Sequence, residues 1–123
     1  MKDIFDTPKE SIFYEDKNLY AALAYSPLTI GHVVVVWKDD VRDLSKLDEE
    51  NYSYLMNKVD EVRNVLKKFY SVDKVYLLYM DETQHVHWHL VPRYNQEGFN
   101  NLCHAPGKIT DFADAEELRE LFK

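Results

Sequence analysis

The chain has 123 residues, a formal charge of −7, 46% hydrophobic residues and 30% charged residues, the mix of a soluble globular protein long enough to close a core. The negative balance speaks against nucleic acid or an anionic membrane as the main partner, and the one cysteine, Cys103, excludes an internal disulfide. The first six residues hold no apolar stretch of the kind that heads a secreted chain, and the longest apolar run, residues 33–37, is far too short to cross a bilayer; a cytoplasmic location is expected.

In chain order, residues 1–10 read as an irregular arm. Residues 11–15 and 19–25 read as two strands joined by the turn residues Asp16, Lys17 and Asn18. Pro27 and Gly31 mark a loop. His32 then leads four valines and Trp37, a strand buried on both faces and therefore central. Residues 45–70 carry apolar side chains at steps of three and four (Tyr52, Leu55, Val59, Val62, Leu66, Phe69), the stripe of a long helix capped by Ser45 or Asp48. Residues 74–80 and 85–91 read as a fourth and a fifth strand, the last stopped by Pro92. Residues 95–108 are irregular, and Thr110 or Asp111 caps a short final helix ending near Phe122. The expectation is one α+β domain over residues 1–123: a five-stranded, mostly antiparallel sheet with one long helix and a short C-terminal helix, its core at about 11–94 and an extension at 95–123.

The chemistry concentrates in His85, Val86, His87, Trp88 and His89. Side chains alternate along a strand, so the three imidazoles share one face at spacings of about 6–7 Å, while Val86, Trp88 and Leu90 form an apolar opposite face. Such a row admits three uses. It could ligate zinc or another divalent ion, with Asp81, Glu82 or His32 completing the shell. It could attack phosphorus, one imidazole as nucleophile and its neighbours holding the developing charge. It could be plain surface polarity, the best reading for any one histidine and a poor one for three in register. His104 and Cys103 lie in the irregular segment and read as an exposed loop histidine and a structural thiol.

The run His85-Val86-His87-Trp88-His89-Leu90-Val91, followed by Pro92-Arg93, resembles the signature of the histidine triad (HIT) superfamily, His-X-His-X-His-X-X with X apolar. A second segment, Pro27-Leu28-Thr29-Ile30-Gly31-His32 with the valines after it, is similar to the stretch carrying that family's fourth histidine. The resemblance spans about residues 11–94. It implies hydrolysis or transfer at the α-phosphate of a nucleotide conjugate, such as a dinucleoside polyphosphate or a nucleoside phosphoramidate, with no cofactor required. It makes His87 the nucleophile, places His32 and His89 on the phosphate, and has His85 position His87 through its backbone carbonyl. Thr83, Gln84 and Arg93 become candidate substrate contacts, and a homodimer is implied. A histidine at position 89, where nucleotide-transferring branches carry glutamine, points to the hydrolase-like branches. Two positions depart from the pattern. Ala24 stands where many members hold the ribose with Asp or Asn, and residues 81–84 form a short connection without glycine.

Overall fold

The fold is described from a computed structural model, which covers residues 7–95, 97–102 and 108–123. Cys103 and His104 lie outside the described residues. Five strands, β1 (Ile12–Glu15), β2 (Leu19–Leu23), β3 (Val33–Trp37), β4 (Lys74–Leu78) and β5 (His87–Arg93), form one antiparallel sheet in the order β1-β2-β3-β5-β4. The α+β architecture is as expected, with the valine strand β3 at the centre and every residue of it buried. Asp16 makes the β1–β2 turn, its carboxylate accepting the N–H groups of Asn18 and Leu19.

Helix α1 (Glu49–Phe69) is shorter at its start than the stripe suggested, because Asp48 is the residue that caps it by accepting from the Asn51 N–H at 2.8 Å. Ser45 falls in a separate single 3-10 turn. Leu55, Val59, Val62 and Leu66 are fully buried against the face of the sheet bearing Leu19, Ala21, Val33, Val35 and Leu90, while Tyr52 stays exposed. Burying four such side chains contributes about 6–12 kcal/mol before entropic costs. A one-turn helix α2 (Phe99–Leu102) and helix α3 (Ala113–Glu120) follow. Helix α3 docks on β1, where the Arg119 guanidinium donates to the Ile12 carbonyl at 2.6 Å and Phe122 packs on Phe13 and Tyr14.

Strands β1, β2 and β4 are each one or two residues shorter than expected, and both ends of β5 shift for a physical reason. Pro92 does not stop β5. Its carbonyl points to the side where β3 has already ended and accepts from Thr29 Oγ1 and Asn101 Nδ2, so no ladder bond is asked of its missing N–H. At the other end β5 begins at His87 and not His85. Residues 81–84 form a tight turn closed by Gln84 N–H to the Asp81 carbonyl, with Gln84 at φ 52°, and the chain is still straightening through His85 and Val86.

Candidate active site

The second face of the sheet is floored by Tyr20, Ala22, Ala24, Val34 and Val36. On β5, His87 stands opposite Val36 and His89 opposite Val34, which puts both imidazoles on this face, away from helix α1. Trp88 turns the other way, toward the helix side, and packs on Tyr79 at 5.2 Å between ring centroids, the core role expected for it.

His85 does not extend the row. Its Nε2–H donates to the Trp37 carbonyl at 2.6 Å, a consequence of the chain bend before β5. His32 completes the row from the neighbouring strand. The ring centroids of His87 and His89 lie 4.8 Å apart and those of His89 and His32 5.1 Å apart. Four hydrogen bonds run through these rings. The Leu28 N–H donates to His32 Nδ1 at 3.0 Å. His32 Nε2 meets His89 Nδ1 at 3.0 Å, His89 Nε2 meets His87 Nε2 at 3.1 Å, and His87 Nδ1 meets the His85 carbonyl at 2.8 Å.

The two ends of this series settle the proton positions. A backbone amide only donates and a carbonyl only accepts. With neutral rings, His32 Nδ1 must therefore be bare and its Nε2–H must donate to His89. His89 Nδ1 is then bare and its Nε2–H donates to His87. His87 carries its proton on Nδ1, given to the His85 carbonyl, and its Nε2 holds a lone pair. Burial keeps the rings neutral. It holds His32 down to about 3 and His89 down to about 4, the neighbouring ring adding to the effect in each. His87 is lowered as well, chiefly by burial, against the opposing pull of the His85 carbonyl and of Asp81 and Glu82.

Both ring nitrogens of His32 are engaged within the protein, as are those of His87 and His89, and His32 meets the row through His89. Arg93 stands apart from the row. It lies six residues beyond His87, about 20 Å along the strand, and pairs with Glu97 at 3.6 Å. Thr83 and Gln84 stand exposed in the turn leading to His85. The ring nitrogens point at one another in series, and among the described residues no three His, Cys, Asp or Glu side chains converge where a metal ion could sit.

The sequence reading missed Leu28, whose contribution is a backbone amide and leaves no side-chain signal. Pro27 and Gly31 are the available hint, since they mark a loop that folds back on His32. It also missed a cavity of about 520 Å³ beside His32, lined by Ala24, Pro27, Thr29, Tyr70, Asp111 and Asp114 among others. Asp111 had been read only as a helix cap, and it does accept from the Ala113 N–H at 3.0 Å.

Comparison with known proteins agrees with this geometry. An uncharacterised HIT-like protein of Borreliella burgdorferi is 29% identical over 94 residues, covering 70% of this chain and 68% of that one. The bis(5'-adenosyl)-triphosphatase of Saccharomyces cerevisiae is 26% identical over 102 residues, covering 77% of this chain and half of the yeast enzyme. In the solved structure of Plasmodium falciparum diadenosine triphosphate hydrolase in complex with Cyclomarin A the same fold recurs with a TM-score of 0.73 at 19% identity, over 98% of this chain and 78% of that one. The family model of the HIT domain matches residues 7–96, most of the sequence, and the chain belongs to the HIT family.

Proposed function

We propose that this protein is a nucleotide hydrolase or nucleotidyl transferase that acts at the α-phosphorus of a nucleotide conjugate through a covalent intermediate on His87. Family membership and the similarity to a yeast bis(5'-adenosyl)-triphosphatase support nucleotide chemistry at the level of the family. The observation that carries the reading to a residue is the unprotonated Nε2 of His87, which accepts from His89 on a ring kept neutral by burial and aimed by the His85 carbonyl. In the first step the His87 Nε2 lone pair forms a bond to the α-phosphorus, and the bond to the leaving group breaks with its electron pair. The positive charge that develops on the ring is stabilised by the Nδ1–H to carbonyl bond. In the second step water attacks the same phosphorus, the P–N bond breaks, His87 recovers its lone pair and a nucleoside monophosphate departs. His89 presents Nε2–H to a phosphate oxygen, and an amine leaving group would take its proton from that side.

Substrate recognition is read from the surroundings of the row. Ala24 offers no acceptor for ribose hydroxyls, and the carboxylates on the cavity wall next to it are Asp111 and Asp114. Thr83 and Gln84 lie at the opposite end of the row, open to a leaving group, which in this reading is the second half of a dinucleoside polyphosphate or the amine of a phosphoramidate. The site we assign is therefore His87 as nucleophile, His89 on the phosphate, and His85 and His32 as positioning residues.

A substrate panel followed by phosphorus NMR, with mass spectrometry of the quenched enzyme, tests this. The expected result is a nucleotidyl adduct on His87 and a fall of at least about a thousandfold in kcat/KM for His87→Ala. Full activity in that variant would refute the assignment, and binding without turnover would make the protein a noncatalytic member. Loss of activity on exhaustive chelation would favour a metal-dependent reaction instead. Strand β4 stands at the edge of the sheet, with Leu77 in it and Met80 just beyond it exposed, and we assign this edge to a homodimer of a cytoplasmic enzyme. A monomer by light scattering at micromolar concentration would exclude the dimer.

A further inference from the structure

We propose that the loop between β2 and β3 directs the proton of His89: the Leu28 amide, acting through His32, keeps that proton on Nε2, where it faces a bound phosphate. The catalytic use of this proton rests on the reading of His87 as nucleophile. The proton arrangement itself does not.

Three neutral imidazoles in series can hold their protons in either of two directions, and in isolation neither direction is preferred. Here the ends break the symmetry. The His85 carbonyl fixes the proton of His87 on Nδ1, and the Leu28 amide fixes that of His32 on Nε2. While His87 and His89 touch at 3.1 Å, both ends act on the whole series. A phosphate that enters between these two rings separates them and divides the series in two. The carbonyl then governs only His87. His89 is left with His32 and the phosphate, and on the protein's side its proton is governed from the loop. The bond from His32 Nε2–H to His89 Nδ1 leaves His89 one place for its own proton, the Nε2 turned toward the substrate.

The loop is built to hold that amide in place. Its two flanks are pinned to each other where Ala24 N–H donates to the His32 carbonyl at 2.8 Å, and it turns back on itself through His32 N–H to the Thr29 carbonyl at 3.1 Å. The Thr29 hydroxyl donates to the Pro92 carbonyl at 3.1 Å. The Tyr94 hydroxyl donates to the Ile30 carbonyl at 2.7 Å. Both anchors come from the end of β5, the strand that carries His87 and His89, so loop and nucleophile share one frame. Thr29 and Tyr94 are accordingly positioning residues. Their hydroxyls act on the loop, Thr29 through Pro92 and Tyr94 through Ile30.

Long-range proton–nitrogen NMR on histidine-labelled protein reads the tautomers without any substrate. In the native protein His32 and His89 should appear protonated at Nε2 and His87 at Nδ1. Leu28→Pro removes the amide proton. With His87 in place, the His85 carbonyl alone still holds the intact series. Leu28→Pro and the His32 variants below are therefore read in a His87→Ala background, where His89 has His32 as its one neighbour in the row. There His89 should keep its proton on Nε2 while the Leu28 amide is present and become a mixture of tautomers when it is removed. If that variant does not fold, two others decide. His32→Gln keeps one acceptor for Leu28 and one donor for His89, and should preserve the native state of His89; His32→Leu keeps neither and should lose it. Thr29→Val should lower kcat by about tenfold with a smaller change in KM, the effect of one lost hydrogen bond on a positioned group. The proposal is overturned if native His89 carries its proton on Nδ1. It is also overturned if, in the His87→Ala background, His89 is native-like with either Leu28→Pro or His32→Leu added, or if Leu28→Pro with His87 in place changes all three rings alike, as a general loosening would cause. Absence of turnover on every nucleotide would defeat the proposed function and leave this tautomer pattern still to be read.

Discussion

Two short connections lead into the histidine row, and they are built on opposite principles. The loop before His32 is fastened at almost every residue: to β5 through Thr29 and Tyr94, to residue 109 through the Tyr25 carbonyl, and to its own strand through His32. The turn before His85 is closed by one backbone bond, from Gln84 N–H to Asp81, and exposes Asp81, Glu82, Thr83 and Gln84 to solvent. The first connection contributes a fixed dipole to the rings and offers ligands little beyond the cavity wall. The second contributes exposed polar and acidic side chains and little rigidity. A site with one fixed end and one open end can keep its nucleophile in register while accepting leaving groups of different size. This is how we read a row whose geometry is closed at His32 and whose other end faces water.

Acid should break the fixed end first, and with the largest effect on stability. His32 is held at about 3 and His89 at about 4 in the folded protein, against 6.5 for an ordinary histidine. Between these values the unfolded chain binds protons that the folded chain refuses, so stability rises with pH across the window. It is complete above about 6.5 and is lost as pH falls, at up to about 1.4 kcal/mol per pH unit for each ring. Urea unfolding should therefore show a loss of about 2–4 kcal/mol between pH 6.5 and 5. Asp16, whose carboxyl is held below its usual value by hydrogen bonds from Tyr54, Asn18, Tyr14 and Leu19 that outweigh its burial, contributes only at lower pH and does not blur this window. A flat profile from pH 7 to 5 would mean that the rings are not buried as neutral species.

The next test acts on backbone geometry. Gly31 sits at φ +82°, and a methyl group added there would collide with the Tyr70 ring. Tyr70 cannot easily withdraw, since its hydroxyl donates to Asp114 at 2.9 Å. Gly31→Ala should cost about 2–4 kcal/mol from the left-handed backbone and the clash together. The lost register of the loop should lower kcat more than the unfolded fraction explains. A melting temperature within a few degrees of the native value would show that the loop yields, and would remove the contrast between the two ends.

How much of this was legible beforehand follows from where each feature is encoded. The valines of β3, the stripe from Leu55 to Leu66 and the alternation at His87, Trp88 and His89 are periodic signals, and the structure realises all three. The role of the His85 carbonyl came from the family resemblance, and the hydrogen bond to His87 Nδ1 is present. What was not legible depends on backbone atoms and on contacts distant in sequence. His85 turns to the Trp37 carbonyl because β5 starts late, and Pro92 stays within β5 because β3 ends early. Neither fact is written in the residues concerned. Leu28 acts through its amide, and any residue but proline supplies one. Arg93 follows the triad in sequence, yet a strand sets residues six apart about 20 Å from one another, and its guanidinium pairs with Glu97.

The smallest effect should come from the open end. Gln84 adopts φ 52°, a left-handed conformation that glycine accepts without the penalty a side chain meets. Gln84→Gly therefore relieves strain in the folded turn while giving the unfolded chain more freedom, and the two terms oppose each other. Stability should change by less than about 1 kcal/mol, in contrast to Gly31→Ala, where left-handed strain and the clash with Tyr70 outweigh the gain from a less free unfolded chain. If Gln84 touches the leaving group, as proposed, KM should rise a few-fold while kcat holds, because the side chain contributes to binding and leaves the relay from Leu28 to His87 undisturbed. A fall in kcat as large as that of Gly31→Ala would mean that the turn also sets the position of His85 and so of the nucleophile. The two connections would then be fixed ends alike.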